Sequence, residues 1–320
     1  MTISSQFAAS QKIVLAKIEG TYGSEPTPTV SANAIEVMDL QVTYPFEVLE
    51  RNLLHEDMSQ TKPLTGKRMA EISFTCELKG GGTRGTPGRL SPLLKSCKMN
   101  ESAKGGVSVI YNPGSTNYSC TIYVYDVNST TSGKYLLHKF YGCVGNVEFS
   151  FKAGQIATAK FSMKGLYTRP ADVDDPGTPA YEATEPVPVK SATLTFGTEA
   201  GLIIDEIQIM LGNEVSERPD VNSVNSIKGF VVTARKPTGS INPEQTLIAE
   251  KDFFDDLEDK TSMILDLTVG NLSGNTILIS GVNLTLDKIS LSNRNGLGAF
   301  DIPVHFNRTS GNDEFHIKET

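Results

Sequence analysis

The clearest pattern in the chain is an alternation of apolar and polar residues that occurs twice, with 167 positions between the copies (207 − 40). The alternating apolar positions are Met38, Leu40 and Val42 in the first copy and Ile207, Ile209 and Leu211 in the second. Such an alternation predicts a strand with one buried face. A Glu-Arg pair follows both strands at the same spacing, as Glu50-Arg51 and Glu217-Arg218. The repeat predicts one small β-rich domain that has been duplicated, an organisation more typical of assembly than of catalysis.

Most of the remaining elements are also predicted to be strands. In the first copy a buried face is formed by Ile72, Phe74, Cys76 and Leu78. Further strands are predicted at residues 107–111, 121–126, 135–141, 146–152 and 157–167, and in the second copy at 263–269, 276–279, 283–291 and 299–307. This order predicts a mainly β protein with two tandem antiparallel sandwich or barrel domains, each with one flanking helix.

One short helix is predicted in each copy. In the first, Ser91 is expected to cap the helix and Pro92 to occupy its first turn. Its apolar face is Leu90, Leu93, Leu94 and Cys97. In the second copy the helix is predicted over residues 249–260, with Phe253, Phe254 and Leu257 directed inward. Its solvent face is predicted to hold Asp252, Asp255, Asp256, Glu258 and Asp259.

The segments between these elements suggest the domain boundaries. A long polar stretch at residues 52–67 separates the first two strands of the first copy, and a shorter one at 219–227 occupies the same place in the second. Residues 169–190 are rich in Pro and Asp and are typical of an extended linker. We therefore assign residues 1–34 to an N-terminal arm, 35–168 to the first domain, 191–308 to the second, and 309–320 to a C-terminal arm.

The charge of the chain differs between its halves. The net charge is −8, which argues against a surface that binds nucleic acid. Residues 1–170 contain 18 Lys and Arg against 13 Asp and Glu, whereas residues 171–320 contain 11 against 24. One interpretation is drift of surface residues after duplication. The other is that unlike halves lie side by side in an assembly, where opposite potentials steer docking.

Candidate chemistry is sparse. The glycine-rich residues 80–88 lack the Gly-Lys-Ser/Thr of a phosphate loop, and the acidic residues at 172–175 lack the glycine and terminal Glu of a calcium loop. The four cysteines contain no C-x-x-C pair, and no two histidines have metal-ligand spacing on a helix. We expect no enzyme activity, no metal and no cofactor. With neither a secretory signal nor a membrane span apparent, we expect a protein made in a reducing cytoplasm.

Several segments together resemble the tail tube proteins of long-tailed phages (siphophages) in the form with two fused domains. They are 20–29 (GTYGSEPTPT), 165–167 (GLY), 235–241 (RKPTGSI), 251–254 (KDFF) and 309–314 (TSGNDE). The resemblance implies a virion protein assembled in the bacterial host cytoplasm. Three copies would form a pseudo-hexameric ring, and stacked rings would form the tube for genome ejection. It implies tape measure, tail terminator and distal tail proteins as partners, and passage of double-stranded DNA without specific binding.

The resemblance also suggests where the assembly surfaces lie. Lumen-facing candidates, chosen because they lie opposite the apolar strand faces, are Asp39, Gln41, Glu148, Ser150, Glu206, Gln208, Thr285 and Asp287. The alternative is that these positions form an outer, solvated face of the same sheet. Lys160 and Lys164, which share an alternating face with Thr158 and Ser162, would fit a lumen less well. Ring stacking is expected to use the arms and the long loop, with Leu54, His55, Glu56, Asp57 and Met58 as candidates. Candidates for charge contacts between domains are Asp255, Asp256 and Asp259.

Three alternatives remain open on sequence alone. A secretion-tube protein would share the fold, although such proteins usually have one domain. A carbohydrate-binding or adhesin sandwich on the virion would expose clustered loop aromatics, whereas the tyrosines between 111 and 141 fall mostly within predicted strands. A hydrolase would require a catalytic constellation that the sequence does not contain.

Overall fold

Antiparallel β-strands dominate the structure, a computed structural model that describes residues 5–130, 133–199 and 201–320. The strands up to residue 174 are β1 (Phe7–Ile18), β2 (Ala34–Ile35), β3 (Met38–Thr43), β4 (Phe46–Leu49), β5 (Leu64–Glu77), β6 (Met99–Lys104), β7 (Ser108–Pro113), β8 (Cys120–Asn128), β9 (Lys134–Lys152), β10 (Thr158–Tyr167) and β11 (Ala171–Asp174). Those that follow are β12 (Thr193–Phe196), β13 (Ile204–Met210), β14 (Asn213–Pro219), β15 (Ile227–Arg235), β16 (Thr238–Pro243), β17 (Met263–Val269), β18 (Ile277–Leu286), β19 (Ser290–Arg294), β20 (Leu297–Phe306) and β21 (His316–Glu319). The helices are α1 (Val30–Asn33), α2 (Ser91–Ser96) and α3 (Phe253–Glu258). The predicted fold class is confirmed, and no sheet closes into a barrel within these residues.

One sheet, which we call the central sheet, runs through both halves of the chain. Its order is β3, β5, β10, the end of β9, β13, β16, β20, and finally the end of β18 together with β19. Every neighbouring pair is antiparallel. The seam between the halves is the β9–β13 pair, in which Ser150 lies opposite Gln208.

The pairing register of the central sheet repeats with the spacing found in the sequence. Val42 of β3 lies opposite Ile72 of β5, and Ile209 of β13 lies opposite Gly239 of β16. Each residue of the second pair lies 167 positions after its counterpart in the first pair (209 − 42 and 239 − 72). Because a shift of one residue would turn every side chain to the other face, the repeated register means that both copies present equivalent faces.

A second layer packs against the central sheet. The first part of β9 continues into β8, β1 and β2. The first part of β18 has β17 and β12 on one edge and β21, β7 and β6 on the other. The main core lies between the layers and includes Phe149 and Phe161 of the central sheet and Ile122 of β8, all fully buried. The predicted buried face from Ile72 to Leu78 is confirmed.

The N-terminal segment differs from the prediction, since residues 7–18 form a strand of the second layer rather than an arm. Val14 and Ala16 pack in the main core, while Ile13 and Leu15 pack on the opposite face in a smaller cluster with Tyr123. A strand that is covered on both faces has a continuous apolar run instead of an alternation, and this run was too short to recognise. The first four residues of the predicted arm lie outside the described residues.

The C-terminal segment also differs from the predicted arm. β21 is hydrogen-bonded between β18 and β7, so it joins the second layers of the two halves. Phe315, Ile317 and Glu319 are buried there. Three buried positions in alternation are too few to predict a strand from the pattern alone.

The two predicted helices are shorter or differently capped than expected. Ser91 does not cap α2; its hydroxyl donates instead to the carboxylate of Glu101, although the predicted apolar face of this helix is buried. α3 covers six residues and is capped by Asp252, whose carboxylate accepts hydrogen bonds from the amides of Phe254 and Asp255. Phe253 is buried as predicted, but Phe254 is exposed and packs edge-on against Phe300.

The two connecting segments are both hairpins. β4 pairs with the beginning of β5, so the unpaired loop is limited to residues 50–63 and the predicted end of the loop is strand. In the second half β14 and β15 form the equivalent hairpin, with a turn at 220–226. The strands predicted at 135–141 and 146–152 are one long strand, β9. The beginning of the predicted linker forms β11, which pairs with β9 of the first half. The division into two domains stays a prediction.

Candidate functional site: the polar face and open edges of the central sheet

The face of the central sheet that points away from the core is polar. One rung of directly opposed residues crosses all eight strand positions: Met38, Thr75, Lys160, Glu148, Met210, Thr238, His305 and Thr285. In an antiparallel sheet directly opposed residues have side chains on the same face. The structure thus brings polar side chains of both halves onto one continuous surface.

Seven of the eight lumen-facing candidates lie on this polar face. Ser150 and Gln208 are direct partners across the seam, and Glu206 accepts hydrogen bonds from both of their side chains, at 3.4 and 2.7 Å. The other four on this face are Gln41, Glu148, Thr285 and Asp287. Whether this face lines a lumen stays a prediction.

The eighth candidate, Asp39, is displaced by a β-bulge in β3. Met38 pairs with Thr75 and Gln41 with Ser73, so Asp39 and Leu40 together oppose one residue of β5. Asp39 has a positive φ of 53° and borders a cleft lined by β1 residues. The bulge also places Met38, which the alternation predicts to be buried, on the polar face and exposed.

Cations of this face are close to carboxylates on neighbouring strands. The Lys152 Nζ is 3.7 Å from Glu206 Oε2, and the Lys164 Nζ is 3.6 Å from Glu71 Oε1. Lys160 lies directly opposite Glu148. Lys160 and Lys164, which the sequence predicts to fit a lumen less well, therefore have acidic neighbours, so the face combines both signs of charge. Lys152 is two positions after the candidate Ser150 on the same strand, so both side chains lie on the same face. That spacing could have added Lys152 to the lumen-facing candidates.

The two edges of the central sheet are open in the described part of the chain. Among residues 5–130, 133–199 and 201–320, β3 is hydrogen-bonded only to β5, and β19 only to β20. Leu291 of β19 is 74% exposed although its partner Phe300 is buried. Unpaired edges with exposed apolar side chains are typical sites of strand addition.

The loop at residues 50–63 leaves the end of the β4–β5 hairpin and is exposed along nearly its whole length. The five ring-stacking candidates all lie in it, and Leu54 and Met58 are fully exposed. Exposed apolar side chains on a long loop are typical of contact sites for another protein. In the second half the shorter turn carries Val221 and Val224, which are also exposed.

Of the three charge-contact candidates on α3, two are at the surface. Asp255 and Asp259 are exposed. Asp256 is buried, and its carboxylate is 2.6 Å from the Lys251 Nζ, so its predicted place on the solvent face is wrong. A buried carboxylate needs such a partner to offset its lost hydration.

The contacts that hold the two halves together were not predicted. The Tyr22 hydroxyl accepts a hydrogen bond from the Phe230 amide at 2.7 Å and donates to the Gly142 carbonyl at 3.0 Å. Burial raises the pKa of Tyr22 to about 12. Gly142 has a φ of 58°, and a side chain there would overlap the Tyr22 ring. These residues lie far apart in sequence, and no local pattern marks them.

Catalytic or metal-binding chemistry is not apparent in these surfaces. No cluster of three or more His, Cys, Asp or Glu residues suited to a metal occurs among the described residues. All four cysteines are free and buried, and burial raises the thiol pKa of Cys76, Cys97 and Cys143. The described helices have at most six residues, and none is long and apolar enough to cross a membrane.

Comparison with known proteins identifies the family. No curated protein matches the chain. A model of the phage tail tube protein family matches residues 9–307, which is nearly the whole chain and includes both copies of the repeated strand pattern. The polar face, the open sheet edges and the exposed loop are surfaces suited to self-assembly. This chain belongs to the phage tail tube protein family.

Proposed function

We propose that copies of this chain close into rings, and that the rings stack into the tail tube through which the genome of a siphophage is ejected. The observation that carries this proposal is the central sheet, which spans both halves in a repeated register and is open at both edges. A sheet with two open ends can be continued by further copies until it closes, and closure removes the exposed edges.

The duplication supports a trimeric ring. Each half supplies four strand positions to the central sheet. Three chains would therefore supply six similar units, with approximate six-fold symmetry. We propose the two halves as the fused tube domains, near residues 35–168 and 191–308, with β1 and β21 packed onto them rather than forming free arms.

The polar face of the central sheet is proposed to line the channel. Lysines that meet phosphate add affinity for DNA through release of counterions, which would hinder passage of a genome. On this face Lys152 and Lys164 are close to carboxylates, and the net charge of the chain is negative. The arrangement fits a conduit that DNA crosses without specific binding.

The remaining surfaces are proposed to contact other copies and the other tail components. The loop at 50–63 is suited to contact the adjacent ring because Leu54 and Met58 are fully exposed. Asp255 and Asp259 would face the more basic first half of a neighbour. Tape measure, tail terminator and distal tail proteins are the expected partners, and the mature location is the virion tail. We propose no enzymatic role.

Electron microscopy of the purified protein tests this proposal. Negative-stain images should contain rings or tubes with a central channel, and a reconstruction should place Glu148 and Asp287 on the channel wall. A protein that stays monomeric at all concentrations and salt conditions would contradict assembly. A tube with Glu148 and Asp287 on its outer wall would contradict the proposed channel lining while leaving the ring intact.

A further inference from the structure

The open edges of the central sheet correspond to strands that are already paired inside the chain. β3 in the first copy corresponds to β13 in the second. The residues of β13 and of its partner β16 each lie 167 positions after their counterparts in β3 and β5. By this displacement Gln41 corresponds to Gln208 and Thr43 to Met210. β13 is paired with β9 at the seam, whereas the matching edge of β3 has no partner in the described chain.

The other open edge can be matched in the same way. Ser240 lies 167 positions after Ser73 and is its counterpart in the second copy. Ser73 pairs with Ser162 of β10, and Ser240 pairs with Pro303 of β20, so β20 corresponds to β10. Residues of β20 lie 141 positions after their counterparts in β10 (303 − 162), so Ala299 is the counterpart of Thr158. Thr158 pairs with Ser150 of β9, and Ala299 pairs with Ser292 of β19. Ser292 is therefore the counterpart of Ser150.

The seam therefore supplies a template for a contact between two copies. At the seam Ser150 lies opposite Gln208, and Glu148 lies opposite Met210. On the open edge of β19 the counterparts of Ser150 and Glu148 are Ser292 and Ser290. On the open edge of β3 the counterparts of Gln208 and Met210 are Gln41 and Thr43. The same pairing between two copies would place Ser292 opposite Gln41 and Ser290 opposite Thr43. We propose that β19 of one copy pairs with β3 of a second copy in this antiparallel register. The inference rests on the proposed ring assembly and adds the pairing of its residues.

The burial of the apolar side chains supports this register. Phe149 and Ile209 face each other across the seam, and both have an exposed fraction of 0%. The equivalent residues are Leu291, which is 74% exposed, and Val42, which is only partly buried. Pairing in the proposed register places Leu291 opposite Val42 on the core side of the sheet, where both would be covered as their counterparts are.

Cysteine pairs test the register with four positions used in two combinations. The variants Gln41→Cys/Ser292→Cys and Thr43→Cys/Ser290→Cys place two thiols directly opposite each other. Gln41→Cys/Ser290→Cys and Thr43→Cys/Ser292→Cys use the same positions shifted by two residues, about 7 Å along the strand. Because a disulfide needs Cβ atoms about 4 Å apart, we expect mild oxidation to link the first two variants at least about tenfold faster.

The outcomes separate the register from the assembly itself. In-register linkage should produce covalent multimers on a non-reducing gel, and the largest closed product counts the copies in a ring. Faster linkage of the shifted pairs, or no linkage of any pair in a protein that forms rings, would overturn the register and leave the proposed function standing. A wild-type protein that forms no rings would overturn the proposed function and the register with it.

A charge at Leu291 provides a second measurement that does not depend on disulfide chemistry. Leu291→Asp should abolish ring formation, because it places a carboxylate in the proposed contact. Leu272→Asp is the matched control, since Leu272 is 62% exposed and lies outside the central sheet. Both variants should keep the unfolding midpoint of the wild-type monomer. Rings formed equally well by Leu291→Asp would contradict the proposed contact.

Discussion

Asn146 of β9 and the backbone of Asn213 form two hydrogen bonds across the seam between the halves. The Asn146 Nδ2 donates to the Asn213 carbonyl, and the Asn146 Oδ1 accepts from the Asn213 amide, both at 2.6 Å. The Asn213 side chain is buried and donates to the carbonyls of Cys97 and Gly145 at 2.7 and 2.9 Å. The hydrogen bonding of the seam thus continues beyond the strand pairing of β9 with β13.

Replacing Asn213 should weaken this seam. Asn213→Ala removes the donor to two buried carbonyls, and we expect a loss of about 1–3 kcal/mol in the free energy of unfolding. Urea titration followed by circular dichroism measures it. Asn271→Ala, at an exposed position outside the strands, should change the free energy by less than about 0.5 kcal/mol. Equal losses in both variants would contradict a specific role of the seam.

Glu319 should make stability depend on pH. Burial raises its pKa from 4.5 to about 8, and the carboxylates of Glu101 and Glu182 add to the shift, whereas a hydrogen bond from the Gly88 amide opposes it. The folded chain therefore favours the neutral acid. Its contribution to stability is complete below pH 4.5 and is lost as the pH rises through 8, by up to about 1.4 kcal/mol for each pH unit between them.

Glu319→Gln keeps the shape and stays neutral, so it should equal the wild type near pH 4.5 and be the more stable protein at pH 9. Thermal unfolding over this pH range measures the difference. Glu258→Gln, at an exposed position on α3, should follow the pH dependence of the wild type. A wild type and a Glu319→Gln variant with parallel pH profiles would refute the assignment.

Removing carboxylates from the polar face should create affinity for DNA if this face lines the channel. In Glu71→Gln/Glu206→Gln, Lys164 and Lys152 lose their acidic neighbours. We expect assembled tubes of this variant to retain duplex DNA at low salt. Each uncovered lysine should add about 0.9 to the slope of log affinity against log salt.

The control for this experiment changes the same number of charges elsewhere. Glu185→Gln/Glu258→Gln alters two exposed carboxylates outside the central sheet. These tubes should bind no more DNA than the wild type. If both variants bind DNA equally, net charge rather than the polar face determines the affinity.

The exposed loop should act in stacking and not in folding. Leu54→Ser/Met58→Ser changes side chains that have no contacts to lose in the free chain, so the free energy of unfolding should stay within about 0.5 kcal/mol of the wild type. Rings should form but not lengthen into tubes, as measured by sedimentation and electron microscopy. The matched variant Val221→Ser/Val224→Ser, on the shorter turn of the second half, should still form tubes. Tubes of normal length from the Leu54→Ser/Met58→Ser variant would contradict the proposal.

Charge reversal on α3 tests the contact between unlike halves. Asp255→Lys/Asp259→Lys should slow ring formation, and the defect should diminish at high salt because exposed charges are screened. Asp256 is left unchanged because breaking its buried pair with Lys251 would destabilise the fold. Ring yield measured against ionic strength is the readout. An unchanged yield at every salt concentration would refute the charge contact.

The sequence predicted those features that depend on local periodicity. The strand class and the buried face from Ile72 to Leu78 follow from alternation, and the constant displacement between the copies recurs in the pairing. The two connecting segments were located by their polar composition, but as loops and not as the hairpins that the structure has. β1 and β21 were missed because a strand covered on both faces, or a strand of four residues, has no readable period. The bulge at Asp39 depends on pairing with β5, which is distant in sequence and leaves no trace in the local pattern. The burial of Asp256 beside its near neighbour Lys251 depends instead on how α3 packs against the strands, which the helical pattern does not contain.

The pairing of β21 with β7 has a consequence for the rate of folding. Ile317 lies opposite Tyr111, so two residues 206 positions apart (317 − 111) must meet before the second layer is complete. Pairings this distant fold slowly, because the entropy of closing the intervening chain is lost before the contact forms. Until then the β7 edge is open to strands of other copies. Chains folding together at high concentration would therefore be most vulnerable to mispairing at β7, and conditions that slow synthesis should raise the yield of correctly folded protein.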